Sequence, residues 1–248
     1  MAIRFSRRFA ALLVLCVLPA CQAGAAEEER EAAVEAPARL GLFSSLPVYW
    51  GEGADIDAVL DGDEAGWLRQ VLERRFKLTP LDALEPETLA GLDQLLLAQP
   101  RPLAPSENVA LDDWVRAGGR ALIFADPALT RQSDFALGDK RRPADMVLLS
   151  PILARWGLEL RFDENQSGGE RLLESIPVHL GGEFIARDGG HLSECEISKA
   201  GLIALCRIGK GNVQLVADAA LLDENGPIVD PEMRAGILDR MLVAAFNS

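Results

Sequence analysis

The sequence predicts a doubly wound α/β fold in which a mostly parallel sheet carries a β-rich insertion. Residues 93–127 have the pattern strand, loop, helix, Gly-Gly stop and strand, which is one right-handed βαβ unit. Strand-like and helix-like segments alternate on both sides of this unit, as expected for helices that cover a parallel sheet. The segment from about 163 to 211 holds several short strand-like pieces broken by glycine pairs, which indicates the insertion.

The helix of the βαβ unit has clear start and stop signals. Pro105 suits the first turn because its missing N–H would have no intrahelical partner there, and Glu107 places negative charge near the positive end of the helix dipole. Asp112 is expected on the solvent side, and Gly118-Gly119 can adopt positive φ and end the helix. One apolar stripe faces the core: Ala110, Leu111, Trp114 and Val115.

The remaining elements follow from short apolar runs and helical stripes. The predicted strands are Arg39–Leu46, Lys77–Leu81, Gln94–Ala98, Arg120–Ala125, Leu158–Phe162 and Asn212–Ala217. A first helix has the stripe Trp67, Leu68, Val71, Leu72 and Phe76. A second helix begins at Ser150-Pro151, with Ser150 as its cap. The last helix begins at Asp230-Pro231-Glu232 and has the stripe Met233, Ile237, Leu238, Met241, Leu242 and Phe246.

Length and composition restrict the class of protein. The chain has 248 residues, of which 49% are hydrophobic, enough for one sizeable core or at most two small ones. The formal net charge of −13 would repel phosphate backbones and anionic lipid headgroups, so nucleic acid is a poor partner.

The N-terminus has the features of an export signal. Basic residues precede an apolar run, Phe9–Leu18, that is too short to span a bilayer. Leu18-Pro19-Ala20-Cys21 resembles a bacterial lipobox, which predicts lipidation of Cys21 and a periplasmic, membrane-anchored lipoprotein. Ordinary cleavage after Ala23-Gly24-Ala25 is the alternative. Residues 1–20 are therefore the signal peptide, 21–38 an acidic linker and 39–248 a single α/β domain.

Two cysteines remain in the predicted mature domain. Ser193–Ser198 and Leu202–Ile208 are predicted to form a hairpin whose turn is centred on Ala200-Gly201. This register places Cys195 opposite Cys206, close to bridging distance, and the periplasm is oxidising. We therefore expect a disulfide between them, the alternative being two small buried thiols.

Three segments carry a family resemblance: LLLAQPRPLAPSENVALDDWVRAGGRALIFADP, SPILARWGLEL and GKGNVQLVADAALLD. They resemble the auxiliary domain of uncharacterised ABC-type transport systems, which is shared by gliding-motility and intraflagellar-transport proteins. The resemblance covers roughly residues 39–248. It implies a fold similar to class I glutamine amidotransferases, hence flavodoxin-like, and a non-catalytic, extracytoplasmic partner of ABC permease and ATPase subunits.

The residues that amidotransferase or metal-dependent chemistry would need are missing. A glutaminase needs a Cys nucleophile and a His base, but no cysteine of the predicted domain, residues 39–248, precedes Cys195. His179 and His191 lie in the β-rich insertion and are not expected at strand ends of the sheet. The acidic run from Asp55 to Asp63 has Val59 at its third calcium-ligand position. We therefore expect no metal, no cofactor and no enzyme activity.

Ligand sites in open α/β sheets lie beyond the carboxyl ends of the strands. The candidate binding residues at those ends are Trp50, Glu52, Gln99, Arg101, Asp126 and Asp218. Asp126 and Asp218 have a structural alternative, which is to cap the turns that follow their strands. The leading hypothesis is a non-catalytic binding or scaffolding protein. A hydrolase that uses strand-end carboxylates, and an envelope interaction protein without a small ligand, are the alternatives.

Overall fold

The computed structural model describes residues 37–51, 66–188, 193–223 and 226–247. The predictions for the signal peptide, for linker residues 21–36, and for Cys21, Glu52, Asp55–Asp63 and His191 fall outside these residues. The last predicted linker residue, Ala38, already belongs to the first strand. The strands are β1 Ala38–Ser44, β2 Phe76–Pro80, β3 Gln94–Ala98, β4 Arg120–Phe124, β5 Leu158–Arg161, β6 Arg171–Leu173, β7 Ile176–Val178, β8 Glu183–Ala186, β9 Ser193–Ile197, β10 Ile203–Ile208 and β11 Gly211–Val216. The α-helices are α1 Trp67–Glu73, α2 Pro86–Leu89, α3 Pro105–Ala117, α4 Ser150–Arg155 and α5 Pro231–Phe246, and Ala220–Leu222 form a 3₁₀ turn.

A seven-stranded, mostly parallel sheet forms the centre of the fold, as the sequence predicts. Its strand order is β2-β1-β3-β4-β11-β10-β9. The first five strands in this order are parallel, whereas β10 and β9 continue the sheet in antiparallel fashion. The last strand in the chain, β11, therefore lies between strands that precede it in sequence.

The middle strands are buried on both faces because helices cover the sheet from two sides. Every residue of β3 is buried, and so are four of the five residues of β4. α5 contacts β4, β11 and α1, while α3 contacts β11, α2 and α4. Strands covered in this way consist almost entirely of apolar residues, which explains the two uninterrupted runs in the βαβ unit.

Several local predictions need correction. Phe76 is not on the first helix: α1 ends at Glu73, and Phe76 begins β2, where its ring meets that of Phe246 edge to face. Ser150 lies inside α4, whose N-cap is Leu149. Met233 is half exposed, although the other predicted stripe residues of α5 are buried.

The segment after α4 is also organised differently from the prediction. β5 does not continue the parallel sheet but pairs with β8 in a separate two-stranded sheet, and β6 pairs with β7 in another. β9 and β10, which belong to the predicted insertion, extend the central sheet. The β-rich segment thus completes the main sheet as well as adding two small ones.

The β9–β10 hairpin has the predicted register. Cys195 lies directly opposite Cys206, and the two are joined by a disulfide. Gly201 adopts a φ of 71° in the connecting turn, a conformation that glycine reaches without steric cost. The predicted centre of the turn and the predicted cysteine pair are both confirmed.

Asp112 is buried, so the prediction that it lies on the solvent side of α3 is wrong. Its carboxylate is buried and accepts hydrogen bonds from Trp156 Nε1 at 2.9 Å, from Arg116 Nε at 2.9 Å and from Arg155 Nε. It therefore joins α3 to the end of α4. Within the described part of the chain, no helix combines the length and the apolarity that crossing a bilayer requires.

Candidate functional site

The carboxyl ends of β1, β3 and β4 are tied together by Gln99, which is fully buried and whose backbone carbonyl accepts from the N–H of Ser45, just after β1, at 3.3 Å. Its Nε2 donates to the carbonyl oxygens of Asp126 at 3.0 Å and Ala144 at 2.9 Å, and its Oε1 accepts from the N–H of Asp126 at 2.9 Å. The backbone of Gln99 has a φ of 47°, a left-handed conformation that non-glycine residues rarely adopt. Gln99 therefore acts as a connector between strand ends, and its amide is directed at backbone groups.

Asp126 follows β4 and is 1% exposed. Its Oδ1 accepts from the N–H of Ala128 at 2.7 Å, which caps the turn after the strand. Its Oδ2 accepts from the N–H of Ala219 at 3.3 Å, which lies just beyond the neighbouring strand β11. The side chain thus stabilises its own turn and fastens the end of β4 to the end of β11.

Asp218 occupies the equivalent position after β11 and is also 1% exposed. Its Oδ1 accepts from the N–H of Ala220 at 2.6 Å, and its Oδ2 accepts from the N–H of His179 at 2.9 Å. Gly181 passes close to this carboxylate: a Cβ added there would lie 2.9 Å from Oδ2 of Asp218. The segment after β7 is therefore held against the end of the central sheet.

The sheet register makes the two carboxylates neighbours. Phe124 of β4 pairs with Val216 of β11, and Asp126 and Asp218 each follow two residues later. Burial raises the pKa of Asp126 to about 6, although two backbone N–H donors oppose this change. Burial, reinforced by the negative charge of Asp126, raises the pKa of Asp218 well above its ordinary value.

A cleft of about 230 Å³ opens next to Asp126. His179 lines it, so the prediction that the histidines lie away from the strand ends is wrong for His179. Nδ1 of His179 shares a hydrogen bond with Oγ1 of Thr130, and Arg131 forms an ion pair with Asp223 at 3.6 Å. The cleft therefore offers a hydroxyl, an imidazole, a guanidinium and carboxylates to a small ligand.

Glu170 and Arg234 stabilise the far wall of the cleft, and neither was predicted from the sequence. Arg234 is fully buried and donates to Glu170, to the carbonyl of Val229 at 2.9 Å and to that of Ala220 at 2.5 Å. Glu170 also accepts from the N–H of Ile228 at 2.7 Å. The position of Arg234, one turn before Leu238 on the buried stripe of α5, is the signal that could have revealed it.

The other predicted binding residues lie elsewhere. Arg101 forms a bidentate pair with Glu107, with N–O distances of 2.9 Å and 2.8 Å, at the start of α3. Trp50 is 59% exposed and contacts the ring of Tyr49 edge to face. Of the predicted set, the structure brings together Gln99, Asp126 and Asp218.

The chemistry of the site follows from how its polar groups are engaged. Each of the four carboxylate oxygens of Asp126 and Asp218 accepts a backbone N–H. Neighbouring carboxyl groups with raised pKa values are also the arrangement used for acid–base work. Among the described residues, no group of three or more His, Cys, Asp or Glu side chains is placed to hold a metal ion.

Comparison with known proteins gives a family and a set of remote structural likenesses. None of the curated proteins matches the chain. An exo-β-1,4-mannosidase from Opitutaceae bacterium strain TAV5 is 12% identical, with a TM-score of 0.46, over 85% of this chain and 36% of its own. A cytoplasmic protein from Salmonella typhimurium LT2 is 13% identical, with a TM-score of 0.47, over 84% of this chain and 99% of its own. A ThuA-like protein from Bacteroides uniformis is 10% identical, with a TM-score of 0.40, over 84% of this chain and 91% of its own.

The chain spans about a third of the mannosidase, and these likenesses are too remote to indicate an activity. The family match covers residues 38–167, from β1 to the segment after β5, which is more than half of the chain. It includes the βαβ unit, Gln99 and Asp126, and the family is described as an ABC-type uncharacterized transport system. The chain therefore belongs to the auxiliary family of ABC-type uncharacterized transport systems.

Proposed function

We propose that this protein is an exported, non-catalytic binding or scaffolding component that assists an ABC-type transport system. The observation that carries the proposal is the use of the strand-end carboxylates. All four oxygens of Asp126 and Asp218 accept backbone N–H groups, so these side chains hold three chain segments in place. A carboxylate engaged in this way is poorly suited to act as a nucleophile or to activate water.

The cleft beside these carboxylates is the proposed ligand site. Thr130, Arg131 and His179 supply polar groups to it, and the ion pair between Arg234 and Glu170 stabilises its wall. A volume of about 230 Å³ is below the usual range for drug-sized ligands. The proposed ligand is therefore a small polar molecule of a few heavy atoms, or one polar group of a larger partner.

The finer fold assignment belongs to the same proposal. The strand order β2-β1-β3-β4, followed by β11 in parallel, matches the flavodoxin-like order 2-1-3-4-5 if β11 takes the fifth position. This supports a fold of the class I glutamine amidotransferase type. The amidotransferase nucleophile is expected to be missing, because the cysteines at 195 and 206 are joined in a hairpin.

A direct test of the non-catalytic proposal is an activity screen of the purified protein with glutaminase and esterase substrates. We expect no turnover above that of an Asp126→Asn variant. Heat-unfolded protein serves as the blank, and unfolding curves establish that the variant is folded. Turnover that requires Asp126 would contradict the proposal.

The alternative hydrolase function has one specific observation in its favour. Asp126 and Asp218 are neighbours with raised pKa values, and His179 lies beside them. If this pair performs catalysis, activity should follow a pH profile with an inflection near 6 that disappears in both Asp126→Asn and Asp218→Asn. A profile unchanged by these substitutions would exclude the pair as the catalytic groups.

Export and anchoring are part of the proposal and depend on the N-terminal sequence. Lipidation at Cys21 predicts that the protein sediments with membranes and that Cys21→Ser moves it to the soluble periplasmic fraction. Cys16→Ser, in the apolar run of the signal, is the matched control and should leave fractionation unchanged. A wild-type protein found in the soluble fraction with Ala26 as its first residue would contradict the anchor.

The proposed partners are the permease and ATPase subunits of an ABC-type system. A photoreactive residue in place of Thr130, at the mouth of the cleft, should cross-link to such a subunit in intact cells. The same residue in place of Leu172, which is exposed on β6, serves as the control. Failure of the Thr130 position to capture either subunit would indicate that the cleft does not face the transporter.

A further inference from the structure

A groove lies on the face of the sheet that α5 covers only in part. Leu205 of β10 pairs with Glu196 of β9 on one side and Gln214 of β11 on the other, so the three side chains share one face. The side chain of Leu205 is 49% exposed, although it lies in the middle of its strand. The groove has a volume of about 760 Å³ and runs between these strands and the last turns of α5, at Ala244 and Ala245.

The lining of the groove specifies the chemistry of an occupant. Leu205 and Ile203 form an apolar floor. The rim carries Glu194, Glu196 and Arg207, and because Arg207 forms an ion pair with Glu194 at 3.8 Å, it is Glu196 that makes the rim acidic. Gln214 is 7% exposed, and its Oε1 has no hydrogen-bond partner among the described residues. An occupant should therefore present an apolar ridge, a cation for the rim and an N–H donor for this buried acceptor.

The outer side of α5 presents the apolar ridge and the cation, directly beside the groove. Met233 is 54% exposed and Val243 is 37% exposed, and the exposed Arg240 and Ala244 continue the same helical stripe. At Gly236, an added Cβ would meet only the guanidinium of Arg240, at 3.7 Å, so the helix backbone is open to close approach there. The guanidinium of Arg240 can also supply the N–H donor.

We propose that two copies of this chain associate through this face, with α5 of each copy lying against the β9–β10 groove of the other. A groove and a ridge of matching chemistry, side by side on one face, are what a twofold symmetric interface requires. Arg240 of one copy then meets the acidic rim of its partner, and Leu205 is covered. The net charge of −13 opposes association, so the dimer is expected to be of moderate affinity and to dissociate on dilution.

Light scattering across a concentration series tests the proposal on the full chain. We expect a monomer–dimer equilibrium in the wild type, with the dissociation constant raised about tenfold or more in Leu205→Glu, because a charge would then be buried in the interface. Leu172→Glu places the same charge at an equally exposed leucine on β6 and should not change the equilibrium. Circular dichroism establishes that all variants are folded.

A charge exchange makes the test specific for the proposed pairing of ridge and rim. Arg240→Glu should weaken the dimer because it opposes Glu196 on the rim, and combining it with Glu196→Arg should restore association. A wild type that is monomeric at every concentration would overturn the proposal. A dimer that is indifferent to Leu205→Glu, or to the charge exchange, would overturn it equally, since the contact would then lie elsewhere.

Discussion

Glu107 at the start of α3 and Asp126 at the end of β4 are both buried carboxylates that accept two backbone N–H groups. Leu84 and Ala104 donate to the first, and Ala128 and Ala219 donate to the second. Their pKa values nevertheless move in opposite directions. The bidentate hydrogen bonds from Arg101 lower the pKa of Glu107 to about 2, whereas burial raises the pKa of Asp126 to about 6.

The two pKa values differ because Glu107 has a cation, the guanidinium of Arg101, beside it, whereas no cation contributes to the shift at Asp126. Two backbone donors do not offset the loss of solvation at Asp126, and the neighbouring Asp218 adds negative charge instead of positive. A guanidinium in bidentate contact reverses the balance at Glu107. A carboxylate with a cation therefore stabilises the fold at neutral pH, whereas burial without a cation raises the pKa values of Asp126 and Asp218.

The largest effect is expected at the ion pair between Arg234 and Glu170, whose arginine is fully buried. Arg234→Met should lower the free energy of unfolding by about 3–5 kcal/mol, because Glu170 would remain buried without its cation. Urea denaturation followed by circular dichroism measures this loss. Arg187→Met, at an exposed arginine, is the control and should change stability by less than about 0.5 kcal/mol. A loss below about 1 kcal/mol for Arg234→Met would show that the pair contributes little.

Glu107→Gln should lower the free energy of unfolding by about 1–2 kcal/mol at pH 7, a moderate value because Arg101 is partly exposed. A depressed pKa contributes stability above the unfolded value, and this contribution is lost as the pH falls from about 4.5 through about 2. Wild type and variant should therefore converge in acid. Unfolding curves at pH 7 and pH 3 test this. If the difference in free energy of unfolding between wild type and Glu107→Gln is the same at both pH values, the ion pair does not stabilise the fold as proposed.

Asp126→Asn tests the other side of the comparison. Because the folded-state pKa of Asp126 is raised, its ionisation weakens the fold as the pH rises from about 3.8 through about 6. The variant should therefore gain about 1–2 kcal/mol relative to wild type between pH 4 and pH 8, even though its amide cannot accept both N–H groups. Thermal unfolding at the two pH values measures the gain, and Asp113→Asn, an exposed carboxylate on α3, is the matched control. If Asp126→Asn instead loses stability relative to wild type between pH 4 and pH 8, the hydrogen bonds from the backbone N–H groups stabilise the ionised carboxylate by more than burial destabilises it.

Arg101→Lys should have the smallest effect. Lysine keeps the positive charge but loses the planar fork that contacts both oxygens of Glu107, so a loss of about 0.5–1 kcal/mol is expected. Arg101→Met, which also removes the charge, should cost more. Urea denaturation measures both losses. If Arg101→Lys and Arg101→Met lower the free energy of unfolding equally, the positive charge contributes nothing beyond the geometry of the guanidinium.

The sequence was sufficient for the parts of the fold that local patterns determine. β3 and α3 have clear boundaries because an apolar run, an N1 proline and a glycine stop coincide in one segment. The hairpin that joins Cys195 to Cys206 was predictable because its register follows from a short turn. The position of Asp126 and Asp218 at one edge of the sheet follows from the rule that parallel strands end at the same edge, whereas their position side by side depends on the pairing of β11 with β4.

What the sequence could not provide depends on contacts between distant segments. His179 reaches the strand-end cleft because β7 packs against the 3₁₀ turn that follows β11 and the N–H of His179 donates to Asp218, and no local pattern encodes that path. The burial of Asp112 depends on Trp156 and Arg155, some 40 residues away in the chain. β5 alternates leucines with charged residues, as a strand does, yet it pairs with β8 and not with the central sheet, since the pairing partners of short strands are set by the rest of the fold.

The position of β11 has a consequence for the order of folding. It is the last strand in the chain, yet it lies between β4 and β10, and its partners in β4 are about 90 residues earlier. Until residues 211–216 are available, β4 and β10 both have open edges, which are templates for pairing with other chains. The β9–β10 hairpin can form locally and early, whereas the centre of the sheet closes late. A chain truncated before Gly211 is therefore expected to aggregate rather than to form a smaller version of the same fold.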